Sequence, residues 1–118
     1  MDESKTLEVA IEGSRAGDNR YRQYHFRPSI CNCGCEILDL PMNASMLRDI
    51  NIFYPEIGDK GWELIRKLQD LEGINRVYLR PFSLTIRKSP LFDWEDFQND
   101  VLFALESVFE KPVELRVS

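Results

Sequence analysis

Hydrophobic positions along the chain follow two rhythms, one of period two and one of period 3.6. Leu7, Val9 and Ile11 alternate with Glu8, Ala10 and Glu12. After a cluster of turn formers at 13–19, Tyr24 and Phe26 alternate with Gln23, His25 and Arg27 up to Pro28. Later, Val77 and Leu79 alternate with Arg76, Tyr78 and Arg80, and past Pro81, Leu84 and Ile86 alternate with Ser83, Thr85 and Arg87. Each run predicts a half-buried strand with one apolar and one wet face. Pro81 suits the turn between the last two, because its φ is already set and it needs no N–H donor. Residues 36–40 predict a short strand, and Val113, Leu115 and Val117 predict a last one at a sheet edge.

The helical rhythm is read at 60–71, where Trp62, Ile65, Leu68 and Leu71, with Leu64 alongside, form one stripe. Asp59 is the expected cap and Gly73 the left-handed stop. A second helix is predicted from 94 to about 110, with Phe97, Val101, Ala104, Leu105 and Val108 on one face. Asp93 caps it, Asp96 completes a short-armed capping box, and Phe92 with Phe97 makes a hydrophobic staple. Acidic Asp93, Glu95 and Asp96 suit the positive end of the helix dipole. In the irregular stretch 41–59, Leu47, Ile50, Ile52, Phe53 and Ile57 are expected to be packed. The pattern predicts an α+β fold: two layers, a mostly antiparallel sheet with two main helices packed on one face. Its core is expected to hold Trp62, Ile65, Leu68, Val77, Leu79, Leu84, Ile86, Phe97, Val101 and Val108.

Composition narrows the function classes. A chain of 118 residues, 43% hydrophobic and 30% charged, reads as one globular domain, 1–118, able to bury a core without staples. A net charge of −5 weighs against nucleic acid as a partner. No apolar run approaches the length of a membrane span, and the acidic first residues lack the apolar segment of a secretory signal. Three cysteines crowded into five residues cannot build an extracellular disulfide framework, so a reducing, cytoplasmic location is expected.

The cysteine run Cys31-Asn32-Cys33-Gly34-Cys35 is the candidate metal site, since thiolates bind zinc, copper(I) and iron–sulfur clusters. In an extended strand alternate side chains stand roughly 6.5 Å apart, so one metal needs the loop to curl, which Gly34 permits. A fourth ligand has to come from elsewhere, with His25, Asp39 or Glu36 nearest in sequence. The run does not have the Cys-x₂₋₄-Cys spacing of zinc sites. The other reading is a turn whose small thiols pack inward. A catalytic role finds no constellation: His25 is the lone histidine, there is no nucleophile elbow, and the glycines are scattered. Acidic residues on the last helix read as a solvated face. Arg76, Tyr78, Arg80, Arg87 and Lys88, on or beside the outward face of the central hairpin, are the candidate partner-binding residues. An acidic protein suits such a patch, and aromatic stacking would also suit single-stranded RNA.

The run from Arg66 to Leu105 resembles the N-terminal domain of Nfu/NifU-type iron–sulfur cluster scaffold proteins. The matching positions, without a gap, are Leu68, Leu71, Gly73, Ile74, Val77, Tyr78, Pro81, Leu84, Thr85, Ile86, Lys88, Asp93 and Trp94. The turn departs from the family's Gly-Pro-Asp, reading Arg80-Pro81-Phe82, and Trp62-Glu63 replaces a Ser-Pro helix opening. The family's cluster-binding Cys-x-x-Cys belongs to a separate domain, and this sequence carries no such motif. The resemblance implies a non-enzymatic, accessory interaction module in iron–sulfur cluster assembly, partnered by assembly or client proteins and needing no cofactor of its own. The alternative is a small thiol–metal protein using the cysteine run, with zinc, or with a cluster shared between two chains because a cluster takes four ligands.

Overall fold

The computed structural model describes residues 5–13, 19–32, 34–49, 52 and 54–116. Strands β1 (Leu7–Gly13), β2 (Tyr21–His25) and β3 (Glu36–Asp39) come first. A short helix α1 (Ala44–Arg48), a 3₁₀ turn (Pro55–Ile57) and helix α2 (Gly58–Gln69) follow. Strands β4 (Ile74–Arg80) and β5 (Ser83–Lys88), helix α3 (Trp94–Phe109) and strand β6 (Val113–Arg116) complete the chain. The strands form one sheet of six in the order β3-β4-β5-β2-β1-β6. Every neighbouring pair is antiparallel except β1 with β6. The fold is therefore α+β, a mostly antiparallel sheet with helices packed on it.

Register sorts the side chains into two faces, because neighbours directly opposite share a face. Leu38, Val77, Ile86 and Arg22 lie in one row across β3, β4, β5 and β2. Leu79, Leu84, Tyr24 and Ile11 form the next. Most of these are fully buried against the helices, along with Leu64, Ile65 and Leu68 of α2 and Phe97, Val101 and Leu105 of α3. The expected core is present, with Trp62 partly buried at its margin. Ile52 departs from expectation: it is 77% exposed rather than packed, while Ile57 is fully buried. Ile50 and Phe53 lie outside the described residues.

The helix ends explain where each element stops. Asp93 and Asp96 form the expected capping box, with the Asp93 amide donating to Asp96 Oδ2 at 2.8 Å. Glu110 takes the left-handed conformation that closes α3, and Pro112 follows. The Glu106 carboxylate then accepts from the Val113 amide at 2.7 Å, which ties β6 to the helix before it. At α2 the prediction is corrected. Asp59 lies inside the first turn rather than capping it; Ile57 is the cap residue, with no side-chain bond. The 3₁₀ turn of Pro55–Ile57 runs straight into α2 and does the orienting that a polar cap would do elsewhere. Strand β2 also begins earlier than its alternation suggested, at Tyr21, and ends at His25.

Two glycines mark close approaches. Gly73, at φ +98°, leads into β4, and a Cβ there would meet Phe92 at 2.8 Å. Gly61 is the fourth residue of α2, where a Cβ would meet Ile57 Cγ2 at 2.6 Å and Leu79 Cδ2 at 3.1 Å. Gly61→Ala should therefore destabilise the fold although alanine is the better helix former by about 1 kcal/mol, because the buried, β-branched Ile57 has little room to yield. A urea midpoint at or above wild type would show that α2 can lift off the sheet. Ile86→Ala, at a fully buried position, should cost on the order of 1–4 kcal/mol by lost transfer energy and the cavity left behind. An unchanged thermal midpoint would remove Ile86 from the core.

Candidate functional site

On the sheet face away from α2 and α3, β4 and β5 carry Arg76, Tyr78, Arg80, Thr85 and Arg87, and β2 adds Tyr21, Gln23 and His25. Tyr78 stands opposite Thr85, and Thr85 opposite Gln23, so these three run in a line across the sheet. Arg76, Arg87 and Tyr21 form the row beside it. Tyr21 and Tyr78 meet diagonally, ring centroids 6.4 Å apart and tilted by 53°. Arg20 places its guanidinium 5.9 Å from the Tyr21 ring centroid. Thr85 is buried beneath these longer side chains, and its hydroxyl has no hydrogen-bond partner.

The charges of this face are not equivalent. Arg76 Nε donates to Asp39 Oδ1 at 2.6 Å across the β3–β4 pair. That hydrogen bond holds the Asp39 carboxyl below its usual range, with the Arg76 and Arg87 charges adding to it. The charge of Arg76 is thus largely matched within the chain. Arg80 and Arg87 make no ion pair among the described residues and present unmatched positive charge. At the other side of the sheet the balance reverses. Glu12 faces His25 at 3.0 Å and Glu8 faces Arg116 at 3.1 Å, with Glu114 beside Glu8.

Four of the five expected partner-binding residues are therefore brought together. Lys88 is the exception: it lies on the helix side of the sheet and is 3% exposed. It closes β5, and alternation carries it to the face opposite Arg87. Tyr21 joins this face because β2 begins at Tyr21, two residues before the alternation at 23–27. Its alternation with Gln23 and His25 was the available signal.

The cysteine loop follows β2. Ile30 is pinned by its amide to the Pro81 carbonyl at 2.9 Å, and Asn32 by its amide to the Glu56 carbonyl at 2.9 Å. Cys31 is buried and disulfide-bonded, whereas Cys35 is free and exposed. Cys33 lies outside the described residues. A disulfide sulfur is not a thiolate ligand, so Cys31 has to be reduced before it could serve the metal reading. No group of three or more potential metal ligands forms among the described residues. The fourth ligands considered are engaged in other ways: His25 with Glu12, and Asp39 with Arg76. Burial and the nearby Glu56 carboxylate push the Glu36 carboxyl upward.

A two-layer domain with helices on one side of its sheet and an arginine–tyrosine surface on the other is the class this geometry defines. It is similar in fold to solved structures, among them the solution structure of a NifU-like protein from Saccharomyces cerevisiae. That likeness has a TM-score of 0.59 at 8% identity, covering 96% of this chain and 87% of the yeast chain. The crystal structure of a Staphylococcus aureus protein is also similar, with a TM-score of 0.50 at 10% identity over 88% of this chain and 98% of that one. No family model and no curated protein sequence matches the chain. The chain has a NifU-like fold. No helix among the described residues is long and apolar enough to cross a membrane.

The Asp39–Arg76 pair makes a prediction about pH. Arg76→Gln removes the leading cause of the Asp39 shift, so Asp39 should titrate at higher pH, nearer an ordinary carboxylate. The stability the pair supplies is fully present above the unfolded-state value of about 4 and is lost as pH falls through the depressed folded-state value. Carbon-13 NMR titration of the Asp39 carboxyl in both proteins checks this. An unmoved Asp39 curve would mean that Arg76 does not hold it.

Proposed function

We propose that this chain is an accessory, non-catalytic docking module in iron–sulfur cluster assembly, and that the arginine–tyrosine face of its sheet is the docking surface. The observation that carries the reading is the pair of unmatched cations, Arg80 and Arg87, flanking the aromatic contact of Tyr21 with Tyr78. Tyrosine and arginine are the residues that most often anchor protein interfaces, and complementary charge directs encounter. The likeness in fold to the yeast NifU-like protein supports the link of that docking to iron–sulfur cluster assembly. The partner on this reading is an acidic assembly or client protein, and the module brings no metal of its own. The thiol–metal reading carries less weight because two of the fourth ligands it could draw on are engaged elsewhere, His25 with Glu12 and Asp39 with Arg76.

Arg80→Glu combined with Arg87→Glu should leave the fold intact, since charges on the wet face sit outside the core and such changes are commonly within ~0.5 kcal/mol each. Affinity for purified assembly proteins from the same source should fall about tenfold or more, and the wild-type binding should weaken as salt rises. The measurement is biosensor titration at two salt concentrations. If the double variant bound the same proteins with unchanged affinity, the face would not be the docking surface.

A further inference from the structure

Lys88 is a buried cation without a matching charge. Its ammonium donates to the carbonyl of its own neighbour, Ser89, at 3.4 Å, a long contact for a group with three N–H donors. Among the described residues no carboxylate lies within ion-pair distance of it. Burial of a charge is costly unless it is paired and hydrogen-bonded. Lys88 lines a recess of about 380 Å³ together with Asn19, Arg22, Asp93, Trp94, Glu95 and Gln98.

The other polar groups of the recess are already engaged. Arg22 donates to Gln98 Oε1 and lies over the Trp94 ring, 4.8 Å from its centroid. Trp94 Nε1 donates to the Asn19 carbonyl at 2.6 Å. The Asp93 carboxylate accepts from the first turn of α3 in the capping box. Glu95 is exposed and solvated. The unmet donors belong to Lys88, with the Arg22 guanidinium adding to the same potential, while Asp93, Glu95 and Asp96 already match the positive end of α3.

We propose that this recess binds a small carboxylate, held by the Lys88 ammonium. A single negative charge suits it better than a phosphate dianion, because Asp93 and Glu95 also line the recess and repel a second charge. The site stands apart from the docking surface, since Lys88 and Arg22 lie on the opposite face of the sheet.

The test is titration of the full chain with sodium acetate, with sodium chloride and sodium phosphate at equal ionic strength as comparisons. Two signals are followed, the Trp94 indole N–H by proton–nitrogen NMR and the thermal midpoint. Acetate should move the indole signal saturably and raise the midpoint by about 10 °C at roughly a hundredfold excess of free ligand over its Kd. Lys88→Met should abolish both responses. In chloride buffer alone the same variant should melt at or above wild type, because methionine fills the space without an unpaired buried charge. A Lys88→Met protein that melts below wild type in chloride would show the ammonium already compensated, and would overturn the proposal. So would an indole signal that acetate leaves unmoved, or one that phosphate moves as strongly as acetate.

Discussion

The pairing of β2 with β5 is the constraint on which the architecture depends. In the order β3-β4-β5-β2-β1-β6 it joins β1, β2 and β6 to β3, β4 and β5. Its register, from Tyr21 opposite Arg87 to His25 opposite Ser83, decides which face every neighbouring strand presents to the helices. A slip of β2 by one residue would carry Tyr24 from the core into water and Gln23 into the core. Tyr24 makes such a slip costly. It is fully buried, and burial pushes its hydroxyl far above the ordinary tyrosine range, offset in part by the Arg22 charge. The hydroxyl has no hydrogen-bond partner, so the ring's apolar contacts outweigh the cost of burying that oxygen.

From that register follows a division of the cations. Arg76, Arg80 and Arg87 fall on the wet face, whereas Arg22 and Lys88 fall on the helix side. On the wet face, charge sits in high dielectric, where it steers encounter at little cost to stability. On the helix side the same charge has to find a partner. Arg22 finds an amide and an indole ring, while Lys88 finds only a distant carbonyl. Adjacent residues of one strand, Arg87 and Lys88, thus stand in two different electrostatic settings because the strand alternates.

Much of the fold was legible because a face is a local property. Alternation at Val77–Leu79 and Leu84–Ile86 identified β4 and β5, and Asp93 with Asp96 identified the start of α3 from four consecutive residues. The α2 start was not legible, since Ile57 is positioned by a 3₁₀ turn and by contact with α2 rather than by a polar cap. Ile52 departs for a related reason: hydrophobicity states a preference for burial, but the tertiary fold decides which positions reach the core, and here Ile57 does and Ile52 does not.

By itself the sequence determined the two main helices and most of the strands, the inward face of each, and the arginine–tyrosine pattern of the central hairpin. These depend on periodicity and on capping chemistry, which act over a few residues. Only the tertiary structure decided that Tyr21 meets Tyr78, that Asp39 matches Arg76, and that Lys88 is buried on the helix side, lining a recess with residues of α3. Tyr21 meets Tyr78 because β5 lies between β4 and β2, and Asp39 meets Arg76 because β3 pairs with β4. Strand order is set by the packing of the whole sheet, and no local pattern encodes it.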